Sequence, residues 1–324
     1  MLGRRCLTIS LFVALTGLAT ALLPVLLIAA LLLSLLPAAR GALATLGLMI
    51  GYLWCETVGI FAALFIWLRH RQPDRFLQAN FKLQCWWANT LKTLAERLYR
   101  LRFRVSGEAA LAPGPAIMLP RHASIADTII PMVYFAIPQQ LQLRYVLKKE
   151  LLMDPCLDIV GNRLPNFFVA RGGQDTEAAR AGVAALIAGL QPNEGALLYP
   201  EGTRFSKDKR LALKRRYSDD TDMLAQLERW PSLLPPRLGG TLAALEANPG
   251  LDLVFCAHTG FEGSSHFSNL INGSWLGTEI QLRFWRVPYS QIPKDATDRR
   301  EFLFAQWDVM QHNVAEMQNG AASG

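Results

Sequence analysis

Charge is what the first part of this 324-residue sequence lacks. No charged residue stands between Arg5 and Arg40, and Glu56 is the only one between Arg40 and Arg69. The stretch 69–324 carries 30 of the 33 lysines and arginines and 25 of the 26 acidic residues. A chain so divided is neither disordered nor wholly soluble. Cysteine is scarce as well: five in all, an odd number, with no C-x-x-C pair. That excludes a disulfide framework and a thiolate zinc site, and it suits a reducing compartment. His258, His266 and His312 lack the His-x-x-x-His spacing of a metal-binding helix, so no metal is expected. There is no nucleic-acid recognition motif, and no G-x-S-x-G elbow of the serine hydrolases.

What fills the uncharged part is long apolar sequence. Leu7–Leu36 and Ala42–Leu68 both exceed the roughly 20 residues that cross a bilayer. The first run is also too long for a signal-peptide core of about 7–15 residues. Pro24 falls in mid-run, where it is expected to kink a helix without ending it. Glu56 is costly in lipid and is expected to face the other helix or snorkel. Arg4, Arg5, Arg69, Arg71 and Arg75 flank the outer ends of the two runs, against Arg40 alone in the turn. The positive-inside rule then predicts a transmembrane hairpin with both termini cytoplasmic, in a bacterial inner membrane.

The pattern changes after Arg71. Residues 73–99 read as one amphipathic helix whose apolar face is Phe76, Phe81, Trp86, Trp87, Leu91, Leu94 and Leu98, turned to a core or to a membrane interface. Strands are expected at Arg100–Val105, Ala116–Leu119, Leu143–Leu147, Phe167–Ala170, Ala196–Tyr199, Leu251–Ala257 and Ile280–Val287. Helices are expected at Ile125–Ile137, Lys148–Gly161 and Thr176–Leu190. Strands alternating with helices predict an α/β domain with a buried mixed sheet flanked by helices. The expected organisation is a transmembrane helical hairpin over 1–70, an amphipathic interfacial linker over 71–110, the α/β domain over 111–318 and a frayed tail from Asn319. The α/β part is basic, and Lys207–Arg216 is a basic run. Such a surface suits a second anionic headgroup, the phosphates of coenzyme A, or the bilayer, and equally a solvated loop.

Three segments set reactive side chains at strand ends, where a sheet fixes loops that remain accessible. In Arg121-His122-Ala-Ser-Ile-Ala-Asp127 a carboxylate follows a histidine by five positions. The pair suits a general base held in one tautomer, or equally a helix-capping Asp beside a structural His. Phe167–Gly173 delivers Arg171 and two glycines, a combination able to meet an anion. Leu197–Arg204 ends in Tyr-Pro-Glu-Gly-Thr-Arg, an unusual density of polar function for a turn.

Taken in order and spacing, these segments resemble those of the glycerophospholipid acyltransferases, the 1-acylglycerol-3-phosphate and lysophospholipid acyltransferases. Leu233-Leu234-Pro235-Pro236-Arg237 with Gly239-Gly240 is similar to the family's fourth block, in the form of the membrane-hairpin branch that includes lysocardiolipin-type enzymes. The resemblance covers roughly residues 80–290. It implies that His122 is the general base and Asp127 its orienting partner. It implies that Arg171, Glu201, Gly202, Thr203 and Arg204 hold the acceptor's phosphate, with Pro235 and Arg237 in a block whose candidate role is donor binding. Two positions depart from the family: Arg121 where Asn is common, and Ile125 where an aromatic is common. Both lie beside the reacting centre and put the acceptor preference in doubt.

The implied reaction moves an acyl chain from acyl-CoA or acyl-carrier protein to the free hydroxyl of a lysophospholipid, most simply 1-acylglycerol-3-phosphate. The expected partners are thus membrane lipid, lysophospholipid and acyl donor, with no cofactor beyond the donor and no nucleic acid. A thioester is already activated, so the chemistry needs only a base for the hydroxyl and a grip on the phosphate. Three alternatives remain: a remodelling acyltransferase for larger headgroups, a lipid hydrolase using Ser124, and a non-catalytic membrane scaffold.

Overall fold

The computed structural model describes residues 2–170, 176–264 and 266–322. The helices, in chain order, begin with α1 (Leu2–Ala21), α2 (Leu23–Ser34), α3 (Ala42–Arg69) and α4 (Pro73–Tyr99). They continue with α5 (Ile137–Gln139), α6 (Pro155–Gly161), α7 (Glu177–Ala188), α8 (Lys207–Arg216) and α9 (Thr221–Arg229), then α10 (Leu238–Glu246), α11 (Phe267–Ile271) and α12 (Ala296–Ala322). The strands are β1 (Arg102–Ser106), β2 (Ala116–Pro120), β3 (Gln142–Lys148), β4 (Phe167–Val169), β5 (Glu194–Leu197), β6 (Asp252–Thr259) and β7 (Glu279–Val287).

Packing divides the chain differently from the contiguous organisation that composition predicts. One unit joins the residues up to Arg102 with Lys148–Asn166 and His266–Glu279. The other takes Phe103–Leu147, Phe167–Ser265 and the chain from Ile280 onward. The amphipathic helix is therefore no linker. It packs lengthwise on the second apolar helix, and β1, expected within the linker, belongs to the sheet.

In the first unit, two helices are apolar and long enough to cross a membrane, Gly3–Ala21 and Pro37–Arg69. The run expected to be one kinked helix is α1 and α2, joined at Leu22, whose backbone stays helical and whose N–H and carbonyl still bond Leu18 and Leu26, while the ring of Pro24 removes one helical N–H. Glu56 finds neither α1 nor water. It accepts from Trp87 Nε1 of α4 at 2.5 Å and from the Cys156 N–H at the start of α6 at 3.0 Å. The contact between α1 and α3 is made instead by Thr16 and Thr57, whose hydroxyls lie 2.8 Å apart. Small residues make the seam of α3: a Cβ on Gly51 would come within 2.1 Å of Leu94, and one on Gly59 within 2.3 Å of the Cys156 sulfur. Arg4 and Arg5, read as flanking charge, both bond the buried carboxylate of Asp158 on α6. The outward face of α3 is apolar, with Phe61, Phe65 and Trp67 exposed, whereas the exposed residues of α4 include Asp74, Arg75, Lys82 and Arg97.

The second unit holds a seven-stranded sheet in the order β1-β7-β6-β2-β5-β3-β4. β2 is central and pairs in parallel with β5 and β6; β5 pairs in parallel with β3, and β7 runs antiparallel to β6. Its core joins Ile117 and Leu119 of β2 to Val183 and Ile187 of α7, Ala244 of α10, and Trp307, Met310 and Val314 of α12. The basic run, for which a solvated loop is one reading, is helix α8, capped by Ser206. The tail expected to fray is helical through Ala322. Leu-rich sequence after 220 gives α9 and α10, which the sequence reading left unassigned.

β5 carries the Tyr-Pro-Glu-Gly-Thr-Arg segment and owes its position to Gly195. A Cβ there would meet the backbone oxygen of Ala116 on β2 at 2.6 Å. Gly195→Val is expected to prise β5 from β2, lowering stability by about 1–3 kcal/mol in chemical denaturation and reducing turnover.

Candidate active site

The carboxyl ends of the parallel strands β2, β5 and β6 lie side by side, the usual place for a site in an open α/β sheet. The chain leaves β2 at Pro120, and His122 stands two residues beyond. The Arg121 N–H extends the ladder by bonding the Cys256 carbonyl of β6 at 3.0 Å. His122 Nδ1 lies 2.9 Å from Asp127 Oδ1, and the other oxygen, Oδ2, accepts the Ala123 and Ser124 N–H groups at 2.6 and 2.7 Å. A carboxylate can only accept, so Nδ1 carries the proton and Nε2 is left bare. Nε2 has no partner among the described residues, and the ring is 12% exposed. Burial by itself would raise the Asp127 carboxyl, but His122 and then His258 outweigh it and hold it well below the usual range. Both readings of the pair therefore meet in one structure, since Asp127 fixes the turn and orients the imidazole together.

The second segment is fastened to the first on two sides. Glu201 Oε1 accepts the His122 N–H at 2.7 Å, and the Phe205 N–H donates to the His122 carbonyl at 2.6 Å. The tight turn between them uses Gly202 at φ +63°, a left-handed conformation suited to glycine. Glu201 is buried, and its Oε2 accepts the Leu234 N–H at 3.0 Å. Burial pushes its carboxyl up to about 8, against the pull of these two amides and of Arg121. Both oxygens being committed to backbone, Glu201 works as a clamp between loops. Thr203 and Arg204 lie within that clamped loop, with Arg204 exposed.

The fourth block joins through its backbone. Arg237 N–H donates to the Pro200 carbonyl at 2.8 Å, and Trp307 Nε1 bonds the Leu234 carbonyl at 3.0 Å. Pro235 is half-buried and the Arg237 side chain is exposed. Arg171 lies outside the described residues. His122, Asp127, Glu201, Gly202, Thr203, Arg204, Pro235 and Arg237 are thus linked through one set of loops.

Three further residues have roles at the site that the sequence did not assign. Tyr199 lies against the His122 ring, centroids 4.2 Å apart, and burial pushes its phenol well above its ordinary value, keeping it neutral. His258, fully buried on β6, donates from Nε2 to the Arg121 carbonyl at 2.9 Å and stands 3.4 Å from Asp127 Oδ2. Its separation of 131 residues from Asp127 hid it. Arg121 turns away from His122 into the fold. It bonds the carbonyls of His258 and Ser232 at 2.5 and 3.1 Å and the Glu262 carboxylate at 3.0 Å. The departure at Arg121 is therefore scaffolding beneath the site. The departure at Ile125 is a 59% exposed side chain. Ser124 is buried, with its hydroxyl on that of Ser264 at 2.7 Å, and so is poorly placed to be a hydrolase nucleophile. Among the described residues no three His, Cys, Asp or Glu side chains cluster to hold a metal.

Glu201→Gln is expected to set an NH2 against one of the two backbone N–H groups. The cost would be about 1–3 kcal/mol of stability and a fall in kcat; thermal melting beside steady-state rates checks it.

Comparison with known proteins adds the lineage. Residues 102–247 match the family model Acyltransferase. The fold is similar to the crystal structure of the 1-acyl-sn-glycerophosphate (LPA) acyltransferase PlsC from Thermotoga maritima. The TM-score is 0.58 at 16% identity, covering 86% of this chain and 96% of that one. No match is found among curated protein sequences. An acyltransferase domain over residues 102–247 on a PlsC-like fold supports the glycerophospholipid acyltransferase family for this chain.

Proposed function

We propose that this acyltransferase acylates 1-acylglycerol-3-phosphate, giving phosphatidic acid from an acyl-CoA or acyl-carrier-protein thioester. The observation that carries the reading is the bare Nε2 of His122, oriented by Asp127 at 2.9 Å and clamped to the loop that bears Thr203 and Arg204. In this mechanism the acceptor hydroxyl loses its proton to Nε2 as its oxygen attacks the thioester carbonyl. The tetrahedral intermediate then expels the thiolate, which takes the proton back from the imidazolium. Asp127 stabilises that imidazolium and holds its tautomer throughout. Arg204, and Arg171 by family resemblance, bind the phosphate and so place the hydroxyl at His122. The Thermotoga maritima protein of similar fold, a 1-acyl-sn-glycerophosphate (LPA) acyltransferase, supports the same acceptor.

The test is transfer from palmitoyl-CoA and from acyl-carrier protein to lysophosphatidic acid by the purified protein. Wild type is expected to make phosphatidic acid, and His122→Ala to lose at least about a hundredfold in kcat/KM. Product only with larger-headgroup lysolipids would make the enzyme a remodelling one. Silence with every acceptor and donor would refute acyl transfer.

The substrate's home is a bilayer, and the apolar outward face of α1 to α3 suits one. The charged residues along α4 bear on how α3 lies in it. α4 begins four residues after α3 ends, and its far end returns to α3, with Tyr99 and Thr45 hydroxyls 2.9 Å apart. A crossing α3 would drag Asp74, Arg75, Lys82 and Arg97 through hydrocarbon, at several kcal/mol. Insertion into one leaflet, apolar face down, avoids that cost and keeps the turn at Arg40 on the side of the termini. A cysteine placed at Ala38 is then expected to react with an impermeant maleimide from the same side as one placed at Gln72. Reaction from opposite sides would restore the crossing hairpin.

A further inference from the structure

The basic helix α8 is not one uniform patch. Arg210 and Lys214 are both paired with Glu228 of α9. Lys207, Arg215 and Arg216 are exposed. Lys209 does something different: its ammonium reaches back over the clamped loop and donates to the Thr203 hydroxyl at 3.0 Å and to the Arg204 carbonyl at 2.9 Å. An ammonium has three donors, so one remains to be given. Among the described residues neither Lys209 nor Arg204 is ion-paired with a carboxylate. Glu201 is near, but both of its oxygens are taken by backbone amides.

Lys209 and Arg204 repel each other, a repulsion that Glu201 only partly offsets, and an anion between them removes the penalty. Partial burial and the neighbouring Arg204 both weigh against the charge on Lys209 and lower its pKa. The loop that holds the pair is the one fastened to the His122 backbone through Glu201 and Phe205. In 1-acylglycerol-3-phosphate the reacting hydroxyl and the phosphate sit on adjacent carbons, so cations on the loop fastened to the base are where that phosphate would fall. A phosphate monoester carries between one and a half and two negative charges at neutral pH, because its second ionisation lies at about 6. A phosphodiester headgroup carries one. Two cations match the first and are half-used by the second.

We propose that Lys209 is a second phosphate-binding cation beside Arg204, and that the pair selects acceptors with a terminal, dianionic phosphate over those with a phosphodiester headgroup. The proposal rests on the acyl-transfer reading above and adds to it a specificity-determining residue outside the family's four blocks. A solely structural Lys209, tying down the loop, would act on kcat and on every acceptor alike.

The experiment compares the full-length wild type with K209Q and K209R in mixed micelles, using lysophosphatidic acid and lysophosphatidylglycerol as acceptors. K209Q is expected to raise KM for lysophosphatidic acid about tenfold, with kcat held within about threefold and little change toward lysophosphatidylglycerol. K209R is expected to restore most of the loss. Equal losses on both acceptors, a fall in kcat at constant KM, or no change would overturn the proposal, as would a wild type that prefers lysophosphatidylglycerol. A wild type inactive with every lysolipid would instead bring down the acyl-transfer reading on which the proposal stands.

Discussion

The site depends on one peptide unit being held from both sides. The His122 N–H is given to a buried carboxylate, Glu201, and its carbonyl is taken by Phe205 of the same loop. These two bonds tie the base directly to the candidate phosphate loop. Proximity catalysis tolerates little slack, since displacement of about 1 Å can cost a hundredfold in rate. Placing a carboxyl group in the interior for this purpose is expensive, and the cost is partly offset by two amide hydrogen bonds to Glu201, from His122 and Leu234. The second of these extends the same clamp to the fourth block, which is how four segments far apart in sequence come to share one geometry.

How much of this was legible follows from what kind of signal each feature leaves. The strands were readable because the sheet is buried and its apolar runs are bounded by turns; β2 and β6 differ from expectation by a residue or two. The four blocks were readable because each packs its reactive residues within a few positions. His258 was not, since it comes from a strand whose pairing with β2 is set by long-range packing, and a lone buried histidine carries no periodic signature. Arg121 was visible as a departure, but its direction was not. Only the structure shows the guanidinium directed toward His258, Glu262 and Ser232, away from the imidazole beside it. The role of Glu201 was misplaced for a related reason. The motif that contains it places an acid beside a phosphate-binding arginine, and spacing cannot say that both carboxylate oxygens already serve backbone amides.

In the apolar part, composition shows the long helices but not what lines them. Hydropathy marks α3 as a membrane span, and the length supports it, yet hydropathy says nothing about what lines the helix. Gly47, Gly51 and Gly59 recur at four- and eight-residue intervals on one face, and that face is closed by Leu98 and Leu94 of α4 and by Cys156 of α6. Small residues at such intervals permit close helix approach in lipid and in water alike. The arginines at the start of α1, counted from the sequence as flanking charges, are both engaged by Asp158, more than 150 residues away.

Charge placement joins these observations into one account. Where the chain buries an acidic or basic side chain it supplies partners at once: Arg4 and Arg5 for Asp158, Glu262 for Arg121, amides and two imidazoles for Asp127, amides for Glu201. Against that background Arg204 and Lys209 stand out, since they are adjacent and lack a carboxylate partner among the described residues. Buried charge left unpaired is costly in the interior, and even at a surface two neighbouring cations are held together only against their repulsion. The loop bonds that keep Lys209 in place, to Thr203 and to the Arg204 carbonyl, maintain that repulsion in the free protein. A bound phosphate would relieve it, so the same arrangement that slightly destabilises the empty loop would strengthen its grip on the acceptor.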